Sequence, residues 1–311
     1  VKVLANIDLM VSENFFEEEI SSDRIQYHIK ALEGVRHPLE APDALEQAAD
    51  YISGVLRSLG YDVADHCFPD NGRFFRNVIA TKRGGHIPHE RVVVLAHYDT
   101  VASSPGADNN ASGVAVMLEI ARLLAHCNFE RTLHFIGVNL EENEHPDDPG
   151  SGTRGSRALA AYARENSWNI EGVLVLESVA YAGETVVQNK PAGLPVLIPK
   201  IGNFIAIVGN ERSKTLIDRF ALAVERYGVD LPFAELALPG NGELLPDSRR
   251  SDHASFWDEG YKAIMLTDTT NFRSPHYHSP SDTLETLNLE FAAKVCCACA
   301  GLTLDMARLT L

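Results

Sequence analysis

Two rhythms of apolar and polar positions alternate along the chain. Residues 43–60, DALEQAADYISGVLRSLG, carry apolar side chains at helical spacing and stop on a glycine, which predicts an amphipathic helix. YDVADHCF and RNVIATKR then read as short strands, joined by a turn at Asn71-Gly72. RVVVLAH is an unbroken β-branched run and suits a central strand buried on both faces. A helix is expected from about Ala111 to His126, followed by the strand RTLHFIGVNL, the helix SRALAAYARE and the strand EGVLVLES. After a Pro/Gly-rich excursion near residues 180–203, the strand NFIAIVG, the helix SKTLIDRFALAVERYG, the strand YKAIMLTD and a closing helix from about Asn288 repeat the idiom. The alternation predicts an α/β fold: a single three-layer domain over residues 1–311, with an open, mostly parallel sheet and helices on both faces.

Charge narrows the partners. The 27 basic and 43 acidic side chains of the 311-residue chain leave a formal charge of −16, which repels phosphate backbones and anionic lipid alike, so nucleic acid is not expected. No apolar run approaches the roughly 18 residues of a membrane span. The N-terminal segment is interrupted at Lys2, Asn6 and Asp8, and no targeting signal is visible. The compartment stays open: five cysteines without a disulfide framework lean toward the cytoplasm, whereas a leader removed ahead of Val1 would make the protein periplasmic or secreted. Cys296-x-x-Cys299 lacks a second pair and lies in a small-residue helical pattern, so Cys296, Cys297 and Cys299 read as core.

The chemistry sits at strand ends. In open α/β sheets, ligands bind outside the carboxyl ends of the strands. His97 and Asp99 follow VVVLA, Glu141 and Glu142 follow FIGVNL, and Glu177 follows GVLVL, so ionisable side chains from three buried strands converge on one rim. Singly, a histidine after a strand or a Glu-Glu pair is usually a solvated loop residue. Jointly, that many buried carboxylates cost several kcal/mol per charge unless cations compensate them, which points to a metal cluster. Histidine with carboxylate is a common zinc ligand set, and of two adjacent acids one can bind metal while the other takes a proton from water. His276 and His278, in the Ser/Pro loop SPHYHSPSDT before the last helix, supply further imidazoles.

From about Leu32 onward the chain resembles the bacterial aminopeptidases of the two-zinc metallopeptidase family twenty-eight, which also includes glutamate carboxypeptidases and, more distantly, glutaminyl cyclases. The matching motifs, in order, are AHYDTVASSPGADNNASGVAVMLEIARLL, the EE of VNLEENE, GTRGSRALA, LESVAY, SDHASFWDEGYKAIMLTDT and PHYHSPSDT. The resemblance implies a zinc exopeptidase fold with one or two zinc ions. It implies His97, Glu142, Glu177 and His278 as metal ligands, with Asp99 orienting the imidazole of His97. It further implies Glu141 as general base and Tyr277 as a phenol polarising the substrate carbonyl. The implied substrate is a peptide or aminoacyl compound with a free N-terminus.

Two departures stand out. Glu177 stands where well-known members carry an aspartate, and a longer carboxylate can still reach a zinc. The bridging aspartate of the family falls on Asn109, a neutral amide that bridges two dications poorly. Either Asp108 substitutes for it, or the site is weakened. The rival readings are therefore a catalytically weakened or inactive homologue kept for binding, and a single-zinc aminoacyl cyclase. The cyclase reading is disfavoured by His97, which such a site does not need.

Overall fold

The computed structural model describes residues 19–144, 150–194 and 196–310. The N-terminal segment read for a leader lies outside the described residues. In chain order the helices are α1 (Ser22–Leu32), α2 (Pro42–Ser58), α3 (Gly113–Leu124), α4 (Arg154–Glu165), α5 (Lys214–Arg226), α6 (His253–Asp258) and α7 (Leu289–Ala307). The strands are β1 (Asp62–Asp70), β2 (Arg73–Lys82), β3 (Ile87–His97), β4 (Arg131–Val138), β5 (Asn169–Glu177), β6 (Ile205–Asn210), β7 (Phe233–Leu238) and β8 (Ala263–Thr267). They form one eight-stranded sheet in the order β1-β2-β4-β3-β5-β8-β6-β7. The centre, β4-β3-β5-β8, is parallel, while β1, β2 and the β6–β8 contact are antiparallel.

Helices cover both faces, as the alternation of elements predicts. Val92, Val94 and Ala96 of β3 pack with Ile52 of α2, Leu118 of α3, Phe220 of α5 and Val295 of α7. Val93 and Leu95 point the other way, toward Leu159 of α4 and Trp257 of α6. Because successive side chains of a strand face opposite sides, a run with no polar position belongs only in the middle of such a sandwich. RVVVLAH accordingly lies between β4 and β5. Cys296, Cys297 and Cys299 are buried on α7, as their small-residue surroundings predict.

Three elements differ from the sequence reading. The helix expected from Ala111 begins at Gly113, because Ala107–Ser112 form a wider turn in which Asn109 and Asn110 leave helical φ/ψ and the N–H of Ala111 reaches back to Gly106 O. A Cβ at Gly113 would run into Asn110 Oδ1 and Leu176 O, so only glycine lets the helix start this close to β5. FAELAL forms β7, whose half-exposed edge position weakens the apolar signal by which strands are recognised. SDRIQYHIKAL forms α1 and buries just Ile25, Ile29 and Leu32. The excursion between β5 and β6 carries only an isolated bridge, Val187 with Ile201, among its described residues. No helix among the described residues is long and apolar enough to cross a membrane.

Candidate active site

Since β4, β3 and β5 are neighbours and run parallel, their carboxyl ends deliver the three acidic motifs side by side. His97 closes β3 and Glu177 closes β5, while Glu141 and Glu142 leave β4 by a short turn. Leu140 (φ 54°), Ser178 (φ 49°) and His278 (φ 57°) are all left-handed. That conformation costs of order 1–3 kcal/mol for such residues and clusters at functional sites. Here it turns the chain at each motif instead of continuing the strand.

His97 Nε2 lies 3.3 Å from Glu177 Oε2 and 3.8 Å from Glu141 Oε2, and all three side chains are buried. On the other side of the site, His278 Nε2 donates to Glu142 Oε1 at 3.1 Å. Asp99 Oδ1 lies 3.4 Å from His97 Nδ1. The same carboxylate accepts the backbone N–H of Glu141 and of Glu142, at 3.0 Å each, and so ties the end of β3 to the acidic pair. Ser251 steadies Glu177 by donating to Oε2 at 2.8 Å. Tyr277 stacks on His278 with ring centroids 3.8 Å apart, and its hydroxyl accepts from Arg250 at 3.2 Å.

The loop GADNNAS divides its three polar residues among three tasks. Asp108 turns away from the cluster: its Oδ1 accepts from the N–H of Ala180, and its carboxyl faces Asp268. Asn109 occupies the place between the two histidine–acid pairs. Its Oδ1 accepts from His97 Nε2 at 3.1 Å and its Nδ2 donates to Glu142 Oε1 at 2.7 Å. Asn110 is a clamp, donating to Leu176 O at 2.8 Å and accepting the N–H of Ser178 at 3.0 Å. Asn109, not Asp108, therefore faces His97 and Glu142, while Ala180 and Asp268 hold Asp108 away from the cluster.

The electrostatics are those of a cation site. Burial alone would lower His97, but Glu177, Glu141 and Asp99 raise it well above the usual imidazole value. Burial and the acids Glu177, Glu142 and Asp252 push Glu141 well up, against the opposing pull of His97. Burial and Glu142 push the Tyr277 phenol up, and Arg250 offsets part of the rise. A dication would supply the compensating charge. Ligand atoms of His97, Glu141 and Glu142 lie within 4.8 Å of one another. The edges of a tetrahedron with bonds of roughly 2.1 Å measure roughly 3.4 Å, close to the His97–Glu177 and His278–Glu142 separations. The donor set therefore fits a borderline N/O-binding cation.

Several supporting residues carried no assignment from sequence. Asp282 accepts the N–H of Asp108 at 2.8 Å and of Asn109 at 3.2 Å. Arg36, 2 % exposed, donates to the carbonyls of Leu32, Gly34, Tyr98, Pro105 and Gly106 and so fastens the loop between His97 and Asp108. Asp252 lies beneath the acids, and burial, against the pull of His97, leaves it at about 7. Ser251-Asp252-His253, polar residues opening an otherwise apolar helix, was the available signal. His276, the alternative to His278, pairs instead with Ser281 at 2.9 Å.

A buried His/carboxylate cluster at the carboxyl edge of a three-layer α/β/α sheet defines the class: a metal-dependent hydrolase. The model of peptidase family M28 matches residues 77–302, and the chain belongs to that family. The chain is 32% identical over 289 residues to the uncharacterized protein YfbL of Escherichia coli, covering 88% of this chain and 85% of that one. To aminopeptidase YwaD of Bacillus subtilis it is 30% identical over 220 residues, 69% of this chain and 41% of that protein. LapB of Legionella pneumophila shares the fold, with a TM-score of 0.72 at 22% identity over 94% of this chain and 74% of that one.

Proposed function

We propose that the protein is a zinc-dependent aminopeptidase acting on peptides or aminoacyl compounds with a free N-terminus. The observation that carries the reading is the meeting of buried His97, Glu177, Glu141 and Glu142 with half-buried His278 at one sheet edge, open to a cavity. His97 with Glu177, and His278 with Glu142, would each hold a zinc ion, giving one or two per chain. Zinc, when bound, polarises the substrate carbonyl and makes water more acidic. Glu141, whose carboxylate burial and the neighbouring acids make more basic, takes a proton from the attacking water and delivers it to the leaving amine. Tyr277, steadied by Arg250, donates to the carbonyl oxygen as charge develops there. Glu141 and Glu177 at the inner end of the cavity favour the ammonium of a free N-terminus, which supports exopeptidase action.

Glu141→Gln tests the assignment of the base. The variant is expected to keep its fold and its metal, and to lose hydrolysis of aminoacyl arylamides by 10²-fold or more, the ordinary range for a positioned base. Undiminished turnover would remove Glu141 from that role. Asn109 supports a second reading, a weakened peptidase whose second metal binds loosely, because a neutral amide offers no charge to share between two dications.

A further inference from the structure

The site opens into a cavity of 390 Å³ that Glu141, Glu177 and Tyr277 border at one end. Its floor is the face of β8, β6 and β7 that the helices leave bare. Strand register arranges that floor in two rows. In the row level with the site, Glu177 is paired with Thr267, Thr267 with Ala206, and Ala206 with Ala234. In the next row Met265 is paired with Val208, and Val208 with Leu236. The first row is small throughout and the second is large, so the floor is a trough running across the strands, away from Glu177. Leu194, Val196 and Leu197 of the excursion line the cavity as well, and Leu197, 97 % exposed, is at its rim.

From these features we infer that the trough binds an unbranched apolar chain, such as a medium-length acyl or alkyl group, longer than any natural side chain. The three steps from β5 to β7, each about 4.8 Å, span about 14 Å, the length of roughly ten or eleven extended carbons at roughly 1.3 Å each. A methionine or phenylalanine side chain entering beside Glu177 covers little more than one step and leaves Ala206 and Ala234 bare. A peptide strand is a poor occupant, because the ladders of β6 with β8 and β7 already use the backbone groups beneath the trough. A hydrocarbon chain needs no such partners and removes apolar wall from water along its whole length. The inference rests on the proposed function only for which end of the trough holds the reacting group.

Straight-chain primary alcohols from three to twelve carbons are the probe, titrated calorimetrically into the metal-loaded protein and scored without reference to hydrolysis. Each added methylene is expected to tighten binding about fourfold, from about 0.8 kcal/mol per buried CH₂, until affinity levels off near ten carbons. Ala234→Phe, on the half-exposed edge strand, fills the far third and is expected to bring the plateau down to about six or seven carbons. Ala206→Val, a smaller change, narrows the trough nearer the site and is expected to weaken chains of more than five carbons at least fivefold; melting curves establish that both variants are folded. A plateau at four or five carbons in the unaltered protein, or no measurable binding, overturns the inference, as does a plateau that Ala234→Phe leaves in place. Chain-length-dependent binding without hydrolysis of any aminoacyl arylamide would leave the trough standing and count against the peptidase reading alone.

Discussion

Restoring a carboxylate at position 109 should have opposite effects on the metal-free and the metal-loaded protein. In the structure Asn109 Nδ2 donates to Glu142 Oε1 at 2.7 Å. In Asn109→Asp an acidic oxygen replaces that donor, and two ionised carboxylates at that separation repel by about 6 kcal/mol at an effective dielectric of about 20. The cheaper route is for the pair to share a proton. Holding a proton at pH 7 on a group whose ordinary pKa is about 4 costs about 4 kcal/mol, and about 1.4 kcal/mol at pH 5. The introduced acid thus has a raised pKa in the folded state, so its penalty is negligible below about pH 4 and grows as pH rises through that range. At about 2 °C per kcal/mol for a chain of this size, melting in EDTA should fall by about 8 °C at pH 7 and about 3 °C at pH 5. With zinc the sign reverses, because the same charge now offsets repulsion between two dications. Elemental analysis should find fewer than two tightly held zinc ions in the unaltered protein and two in the variant, with hydrolysis rising in step. Equal melting of the two proteins in EDTA at pH 7, or two full zinc ions already present with Asn109, would refute the reasoning. A filled second site without faster hydrolysis would identify a retired peptidase.

Three further outcomes can be checked. His278→Ala should lose metal measured after dialysis, whereas His276→Ala, whose imidazole pairs with Ser281, should keep it. Arg36→Met takes a donor from five backbone carbonyls, of which Pro105 O and Gly106 O keep a backbone N–H, and should cost about 3 kcal/mol, a melting-point loss of roughly 6 °C; a shift below roughly 2 °C would show that water replaces the guanidinium freely. His134 stacks on Trp168 and faces Arg91, and burial, then Arg91, brings it down to about 3. The unfolded chain therefore takes up a proton below about pH 6.5 that the folded one refuses, so stability falls by up to about 1.4 kcal/mol per unit as the pH drops from 6.5 toward 3. In urea titrations His134→Gln should be the less stable protein at pH 7, and its stability should decline less steeply with acid.

Hydrophobic patterning by itself determined the layered architecture and the location of the chemistry. An unbroken run such as RVVVLAH has only the middle of a covered sheet to go to, and polar residues that follow such runs necessarily emerge at one edge. His97, Glu141, Glu142 and Glu177 could be gathered on that ground, and the resemblance of the motifs picked His278 from the pair in PHYH. FAELAL escaped because an edge strand is half exposed and its alternation is weak. The roles within GADNNAS could not be read locally, since Asp108 and Asn109 are adjacent and chemically similar. Contacts from distant parts of the chain decided between them: Ala180 and Asp268 draw Asp108 aside, and Asp282 fastens both backbone amides so that Asn109 faces His97 and Glu142. Likewise, no local pattern shows that Thr267, Ala206 and Ala234 form one row beside Glu177. Register between strands far apart in sequence is set by how their faces pack, and that is fixed only once the whole sheet has assembled.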